Sequence, residues 1–243
     1  MKRSLLASLI SLTLATCAPA EEGGIAVVEL FTSQGCSSCP PADVALAELH
    51  DWATDQGKPV YCLSFHVDYW NRLGWTDPYS QAEFSGRQSS YARSRGSSQV
   101  YTPQMIVNGT EEFVGSDRRA SRAAVQSALA KAVTGVIKIE AKIGANPGEI
   151  EVSYQVDGAD GQLLNLALVQ REATNDVPAG ENSGRHLSHR QVVRAFRSVE
   201  AGAGRATFRL PEGLPAEGFE VIGYTQRAPG GTITGAARAS LAL

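Results

Sequence analysis

Hydrophobic positions in the first part of the chain alternate between strand-like runs and helix-like spacing. Residues 25–31 form an apolar run that only Glu29 interrupts, which predicts a strand covered on both faces. A helix is predicted next, because two prolines suited to a first turn precede apolar residues at helical spacing, namely Ala42, Ala45, Leu46, Leu49 and Trp52. Residues 59–67, "PVYCLSFHV", predict a second buried strand. A right-handed crossover between the two strands would bring their carboxyl ends to one edge of a sheet.

The pattern of residues 68–133 is more mixed. It begins with an aromatic and then polar stretch, which predicts a loop and an irregular helix. Asn108-Gly109 stands between two short apolar runs and is a strong two-residue hairpin signal. Ser116 or Asp117 is then predicted to cap a helix whose apolar residues recur on one face.

The pattern changes again after Gly135. Short runs, several of them alternating between apolar and polar residues, are separated by turns that contain Gly, Pro, Asn or Asp. This spacing predicts an antiparallel β-sandwich rather than further strand–helix–strand units. We therefore predict an α/β domain over residues 21–134 and a smaller β-rich domain over residues 135–243.

The first twenty residues have the anatomy of an export signal. Lys2 and Arg3 precede an apolar segment at residues 5–14, and "APA" at residues 18–20 is a cleavage site of the expected kind. Residues 1–20 are thus predicted to be a signal peptide, and the protein to be periplasmic or secreted. A lipid anchor at Cys17 is the alternative, because residues 14–17 form a weak lipoprotein box. No later stretch is long and apolar enough to span a membrane.

The charge pattern excludes one class of partner. The formal net charge is −3 at pH 7 and no basic run occurs, so the sequence has no electrostatic footprint for nucleic acid.

The cysteine count points to an unpaired thiol. Removal of the signal would leave Cys36, Cys39 and Cys62 in a compartment where disulfides persist. Cys62 lies within an apolar run and is predicted to be a buried small hydrophobic residue.

Cys36 and Cys39 form a C-x-x-C motif between the first predicted strand and the first predicted helix. Unpaired amides and the helix dipole at a helix N-terminus favour a thiolate, which makes Cys36 the predicted nucleophile. Cys39, one turn deeper, would attack the resulting mixed disulfide and release the product. A structural disulfide and a metal site are the alternatives for this pair.

The order of these elements resembles the thioredoxin fold over residues 25–133: a strand, the C-x-x-C helix, a parallel strand, Thr102-Pro103 and a hairpin. Within that superfamily the chain is similar to exported proteins of the domain-of-unknown-function family 1223. The motifs that carry this resemblance are "ELFTSQGCSSCPPAD", "FHVDYWNRLGWTDP", "YTPQMIVNG", "GENSGR" and "VVRA". The resemblance implies an α/β thioredoxin-like domain, followed here by the smaller β-sandwich-like domain.

The resemblance also implies roles for three residues. Glu29 matches, with one extra loop residue, the buried acid that takes a proton from the resolving cysteine, since a buried carboxyl group has a raised pKa. A solvent-facing glutamate is the alternative. Thr102-Pro103 resembles the cis-proline that faces the cysteine pair and docks an extended substrate. The alternative is an ordinary trans-proline at the start of a strand.

His66 and Asp68 end the second strand, so the shared sheet edge predicts that they lie near Cys36. His66 would stabilise the thiolate or carry protons. It would otherwise complete a copper site with the two cysteines, or be satisfied in the core while Asp68 caps the loop. Trp70 would line the site or bind a peptide, or else belong to the core.

A group of cationic residues lies within and after "GENSGR", namely Arg185, His186, His189, Arg190 and Arg194. The group would contact a partner or an anion, or form a solvated face.

The leading functional hypothesis is an exported thiol-disulfide oxidoreductase without a bound cofactor. It would act on protein or peptide thiols through Cys36 and Cys39, together with an unidentified redox partner. One rival is a non-catalytic binding module in which the disulfide is structural. The other is a copper-handling protein that uses Cys36, Cys39 and His66.

Overall fold

The computed structural model describes residues 23–228 and 230–242. The predicted signal peptide and the possible anchor at Cys17 lie outside these residues. The first half contains, in order, β1 (Ala26–Thr32), α1 (Pro40–Asp55), β2 (Val60–His66), α2 (Ala82–Ser94), β3 (Gln104–Val107), β4 (Glu111–Val114) and α3 (Arg118–Leu129).

The second half contains strands and a short 3-10 turn. The strands are β5 (Val136–Ile143), β6 (Glu149–Asp157), β7 (Leu163–Val177), β8 (Arg185–Glu200), β9 (Ala203–Arg209), β10 (Phe219–Gln226) and β11 (Ile233–Ala242). None of the described helices is long and apolar enough to cross a membrane.

All eleven strands belong to one mixed sheet in the order β4-β3-β1-β2-β8-β7-β10-β11-β5-β6-β9. The predicted fold class, an α/β thioredoxin-like domain followed by a separate β-sandwich, is therefore wrong. The described part of the chain is mostly β, with three α-helices. The prediction failed because hydrophobic patterning identifies a strand but not its neighbour. β8 lies beside β2, parallel to it, with Ser64 opposite Val192.

Two hydrophobic cores lie on opposite faces of the first strands. Because successive strand residues point to opposite faces, Val28 and Leu30 of β1 pack with Leu46 of α1 on one face. The other face carries Phe31 and Phe65. It also packs against residues from the second half, including Ala167, Val193, Phe196, Ile222 and Tyr224. The core on the Phe31 face is thus built from residues of both halves of the chain.

Local predictions in the first half are confirmed. β1 and β2 pair in parallel, with α1 between them in the chain. The hairpin turn contains Asn108 and Gly109, whose φ angles of 45° and 75° suit this type of turn, but its loop has three residues instead of two, because Val107 pairs with Glu111. Asp117 caps α3 by accepting a hydrogen bond from the Ala120 amide at 2.9 Å. The predicted domain boundary between residues 134 and 135 falls between α3 and β5, and it stays a prediction. The sheet contains strands from both sides of this boundary.

Candidate functional site

Cys36 and Cys39 form a disulfide bond at the start of α1, with their Cα atoms 5.4 Å apart. Cys39 is the N-cap residue of the helix, and both cysteine side chains are completely buried. The Ser38 hydroxyl lies 3.3 Å from the Cys36 sulfur and is the donor, because a disulfide sulfur has no proton. The disulfide therefore lies at a helix N-terminus, as predicted, and it is out of contact with solvent although Ser37 and Ser38 between the cysteines are exposed.

The first turn of α1 has fewer free amides than the sequence argument assumed. Pro40 and Pro41 occupy its first two positions and have no N–H group. The amide of Cys39 already donates to the Cys36 carbonyl at 3.2 Å. Stabilisation of a Cys36 thiolate would thus depend on the helix dipole and on Ser38 more than on free amides.

A segment from the second half covers the disulfide. We name residues 178–184, which connect β7 and β8, the cover. Asn182, which is 1% exposed, donates from Nδ2 to the carbonyls of Gln34 at 2.9 Å and Cys36 at 2.8 Å. The Glu181 carboxylate accepts from the amide of Ser37 at 2.9 Å and from its hydroxyl at 2.7 Å. These two hydrogen bonds, that from the amide first, lower the pKa of Glu181.

His66 lies behind the disulfide loop. Its Nδ1 is 2.7 Å from Oδ2 of Asp77, and that same oxygen accepts a hydrogen bond from the Gln34 amide at 2.8 Å. Burial opposes ionisation of Asp77, but His66 and the hydrogen bonds from Gln34 and Tyr79 outweigh it, so the pKa of Asp77 is lowered. Asp77 therefore joins His66 to the disulfide loop.

His189 belongs to this interior region and not to a solvated cationic face. It is 2% exposed, and its ring meets that of His66 edge to face with 4.7 Å between centroids. Its Nδ1 lies 3.5 Å from the carboxylate of Asp43 in α1, and its Nε2 lies 3.1 Å from the side-chain amide nitrogen of Gln34. Arg185, another member of the predicted cationic group, donates to the side-chain oxygen of Asn182 at 2.9 Å and so helps to orient that residue of the cover.

Trp70, Thr102 and Pro103 are also brought to the disulfide loop. The indole nitrogen of Trp70 donates to the Thr102 hydroxyl at 2.8 Å, and the Thr102–Pro103 peptide bond is cis. Trp70 packs so closely on Gly35 that an added Cβ at Gly35 would lie 3.0 Å from the Cβ of Trp70. The substrate-binding roles of these residues stay predictions.

Glu29 and Asp68 are directed elsewhere. Glu29 shares the β1 face of Phe31, opposite α1, and its buried carboxylate accepts from Arg87 at 2.7 Å and from the Tyr224 hydroxyl at 2.8 Å. The hydrogen bonds of this carboxylate thus run to α2 and β10 and not to the cysteines. The backbone amide of Asp68 donates to the Ser85 hydroxyl at 3.1 Å, and its carboxylate accepts from that hydroxyl, which ties the loop to α2.

The described ranges include no group of three or more His, Cys, Asp or Glu residues placed to hold a metal ion, which the copper hypothesis would require. Cys62 is buried and unpaired by disulfide, and burial raises the pKa of its thiol to about 12. It packs in the α1 core as a small hydrophobic residue.

Sequence reasoning missed Gln34, Asp43, Asp77 and Asn182 as members of the site. Gln34 and Asp43 lie inside the motif "ELFTSQGCSSCPPAD", Asp77 lies inside "FHVDYWNRLGWTDP" and Asn182 lies inside "GENSGR". Their presence within these motifs was the one signal available, because their contacts depend on chain segments far apart in sequence.

Comparisons with known proteins agree with the motif-based identification. The family model described as protein of unknown function, DUF1223, matches residues 27–224. The crystal structure of protein AGR_C_4864 from Agrobacterium tumefaciens is 32% identical, with a TM-score of 0.62, and the match covers 90% of this chain and 95% of that chain. HBP35 of Porphyromonas gingivalis has a TM-score of 0.62 at 15% identity, over 90% of this chain and 76% of that chain, and so shares the fold alone. No curated protein matches the chain.

Proposed function

Since the chain belongs to the family of proteins of unknown function DUF1223, we propose its function from the geometry of the disulfide site. The protein is a thiol-disulfide oxidoreductase that works outside the cytoplasm on protein or peptide thiols. The observation that carries this proposal is the Cys36–Cys39 disulfide at the N-cap of α1. Closely spaced cysteines in this position are suited to exchange, because the helix dipole favours the attacking thiolate.

The reaction follows from the two sulfur atoms. In the reduced protein, the Cys36 thiolate attacks a substrate disulfide, forms a mixed disulfide and releases one substrate thiolate. Cys39 then attacks the Cys36 sulfur, which restores the Cys36–Cys39 bond and releases the second substrate thiolate. The substrate is reduced by two electrons and the protein is oxidised by two. The reverse sequence oxidises a substrate dithiol.

Burial of both sulfur atoms favours a second candidate, a binding module with a structural disulfide. Neither cysteine side chain has exposed surface, and the cover hydrogen-bonds directly to their loop. An exchange reaction therefore requires the cover to move, whereas a structural disulfide is compatible with a cover that stays closed.

The reduction potential separates these two candidates. The protein is equilibrated in glutathione buffers of known potential, and free thiols are trapped and counted. A potential between about −120 and −270 mV supports the oxidoreductase, whereas a potential below about −300 mV identifies a structural disulfide. Cys36→Ser should abolish exchange, while the matched Cys62→Ser variant should retain it, because the Cys62 thiol is buried away from the pair.

A further inference from the structure

Two histidine–carboxyl pairs lie behind the disulfide, and the exchange chemistry described so far does not use them. His66 pairs with Asp77 and His189 pairs with Asp43, and no side chain of the four is more than 5% exposed. The imidazole rings meet edge to face. We name these four residues the histidine cluster.

The histidine cluster is connected to both flanks of the cysteine motif. On one side, Gln34 donates its backbone amide to Asp77 and its side-chain amide contacts His189. On the other side, Asp43 follows Cys39 by one helical turn, and its amide donates to the Cys39 carbonyl at 3.1 Å. Side chains one turn apart have Cβ atoms about 5–6 Å from each other. The Asp43 carboxyl group is therefore the titratable group of the cluster nearest to Cys39 along the helix.

Three polar atoms of the histidine cluster have no hydrogen-bond partner among the described residues: Oδ1 of Asp43, Nε2 of His66 and Nδ1 of His189. An unsatisfied buried polar atom is destabilising, because it has lost its hydrogen bonds to water without replacement. The disulfide has no proton to offer these atoms. A Cys39 thiol would supply one, so the reduced protein contains a donor that the oxidised protein lacks.

The surrounding hydrogen bonds determine which of these atoms accept a proton. The Oε1 atom of Gln34 accepts from Trp75 and Asn175, both at 3.1 Å, so the Gln34 amide nitrogen donates to Nε2 of His189. Neutral His189 then carries its proton on Nδ1, towards Asp43. The free acceptors are Oδ1 of Asp43 and, because Nδ1 of His66 donates to Asp77, Nε2 of His66.

The charges around His189 favour retention of a proton in this region. Burial alone would lower its pKa, but the nearby carboxyl groups of Asp43 and then Asp77 outweigh burial, so the pKa of His189 is raised. Tyr79 lies against both imidazole rings, and the guanidinium of Arg194 on β8 stacks on the Tyr79 ring at 5.0 Å. The two imidazole rings are thus surrounded by the carboxyl groups of Asp43 and Asp77 and by the phenol of Tyr79, with the Arg194 cation behind that phenol.

We propose that Asp43, positioned by His189, accepts the proton of the Cys39 thiol when Cys39 attacks the mixed disulfide. The proposal rests on the oxidoreductase function proposed above. The Cys39 S–H bond breaks and its proton forms an O–H bond on Asp43. The Cys39 thiolate then forms the bond to the Cys36 sulfur, and the electron pair of the broken Cys36–substrate bond leaves with the substrate sulfur. The substrate disulfide is the only oxidant required.

Reaction with 5,5′-dithiobis(2-nitrobenzoate) tests the proposal, because each step releases one coloured thiolate. The first release reports attack by Cys36 and the second reports attack by Cys39. We expect Asp43→Asn to slow the second release by about 10²-fold, as for removal of one positioned general base, without slowing the first. Asp51→Asn is the matched control on an exposed position of α1 and should slow neither. An unchanged second release in Asp43→Asn would overturn the proposal.

The wild-type protein provides a test that does not depend on the folding of a variant. The ring protons of His189 are titrated by NMR in the oxidised and the reduced protein, with exposed His186 as the internal reference. We expect the midpoint of His189 to differ between the two states, because coupled groups titrate as a unit. Identical titrations would overturn the proton role, whereas a disulfide that stays oxidised throughout the glutathione buffers described above would overturn the oxidoreductase function.

Discussion

At the scale of single residues, Asn182 has the most direct influence on the disulfide. Its side-chain amide is the sole group of the second half that hydrogen-bonds to a cysteine of the pair among the contacts of the described residues. Both of its acceptors are backbone carbonyls, so no other side chain of the loop has to move when the contact forms. The side chain of Asn182 thus links the cover directly to the backbone of the disulfide loop.

We expect Asn182→Ala to accelerate reduction of the disulfide by dithiothreitol by about tenfold or more. The substitution removes two hydrogen bonds and leaves two buried carbonyls without this donor, which destabilises the closed cover by about 1–3 kcal/mol. The rate of thiol appearance measures the effect. Asn146→Ala, at an exposed turn between β5 and β6, is the matched control. Equal rates in wild type and Asn182→Ala would contradict the barrier role of the cover.

The cysteines should differ in reactivity within the folded, reduced protein. Iodoacetamide is expected to modify Cys36 and Cys39 when the cover opens but not Cys62, because burial raises the pKa of Cys62 to about 12 and leaves almost no thiolate at neutral pH. Mass spectrometry counts the modified thiols, and Cys62 should react once guanidinium unfolds the chain. Three modifications in the native protein would be inconsistent with this packing.

Glu29 shows why residue roles are harder to predict than residue burial. The sequence places an acid in an apolar strand, and the structure does bury it. However, both faces of β1 are apolar, so patterning cannot tell which of them carries α1 and the cysteines. The acids nearer the motif, Asp43 and Asp77, lie in a helix and a loop that look solvated from their sequence alone.

At the scale of secondary-structure elements, the β7–β8 hairpin connects the sheet to the site. Its strands are 15 and 16 residues long, and they extend beyond the sheet core to place the cover over α1. Gln191 near the β2 contact has a φ of 56°, an angle that favours glycine, and its side chain reaches His50 of α1 at 3.1 Å. The hairpin is therefore anchored at both the sheet and the helix.

The N-cap of α3 gives a prediction at the same scale. Asp117→Ala should lower the free energy of unfolding by about 1 kcal/mol, because the Ala120 amide loses its acceptor. Asp117→Asn keeps an acceptor oxygen and should stay close to wild type. Urea denaturation measures both variants, and equal losses in the two would show that the cap contact is not responsible.

Elements defined by local chemistry were predictable, whereas their partners were not. The Asn108-Gly109 turn and the Asp117 cap depend on neighbouring residues, so the sequence predicted both correctly. The pairing of β8 with β2 depends on segments more than a hundred residues apart, and it joins strands from both halves of the chain into one sheet. The site could not be predicted completely for the same reason, because the cover and His189 belong to the second half of the chain.

At the scale of the whole molecule, both halves share one hydrophobic core. Phe65 packs edge to face with Phe196, and Tyr224 donates a hydrogen bond to buried Glu29. Removal of the second half would expose Phe65 and leave the buried pair of Glu29 and Arg87 without part of its hydrogen-bonding network. Stability is thus a property of the complete sheet.

We expect residues 23–134, produced alone, to lack a cooperative thermal transition, whereas the full chain unfolds in a single one. Circular dichroism in the far and near ultraviolet measures both samples, and coincident transitions identify two-state unfolding. A sharp transition in the fragment, with near-native helical content, would show instead that the first half is independently stable.

The cysteines and the cover are far apart in sequence, so the cysteines are synthesised well before the segment that covers them. Asn182 follows Cys36 by 146 residues. Ribosomes add about 5–20 residues per second, so Cys36 and Cys39 exist for roughly ten seconds before Asn182 is made. An oxidant that reaches the chain before the hairpin forms would therefore meet an uncovered pair of thiols. Formation of the hairpin would then enclose the resulting disulfide.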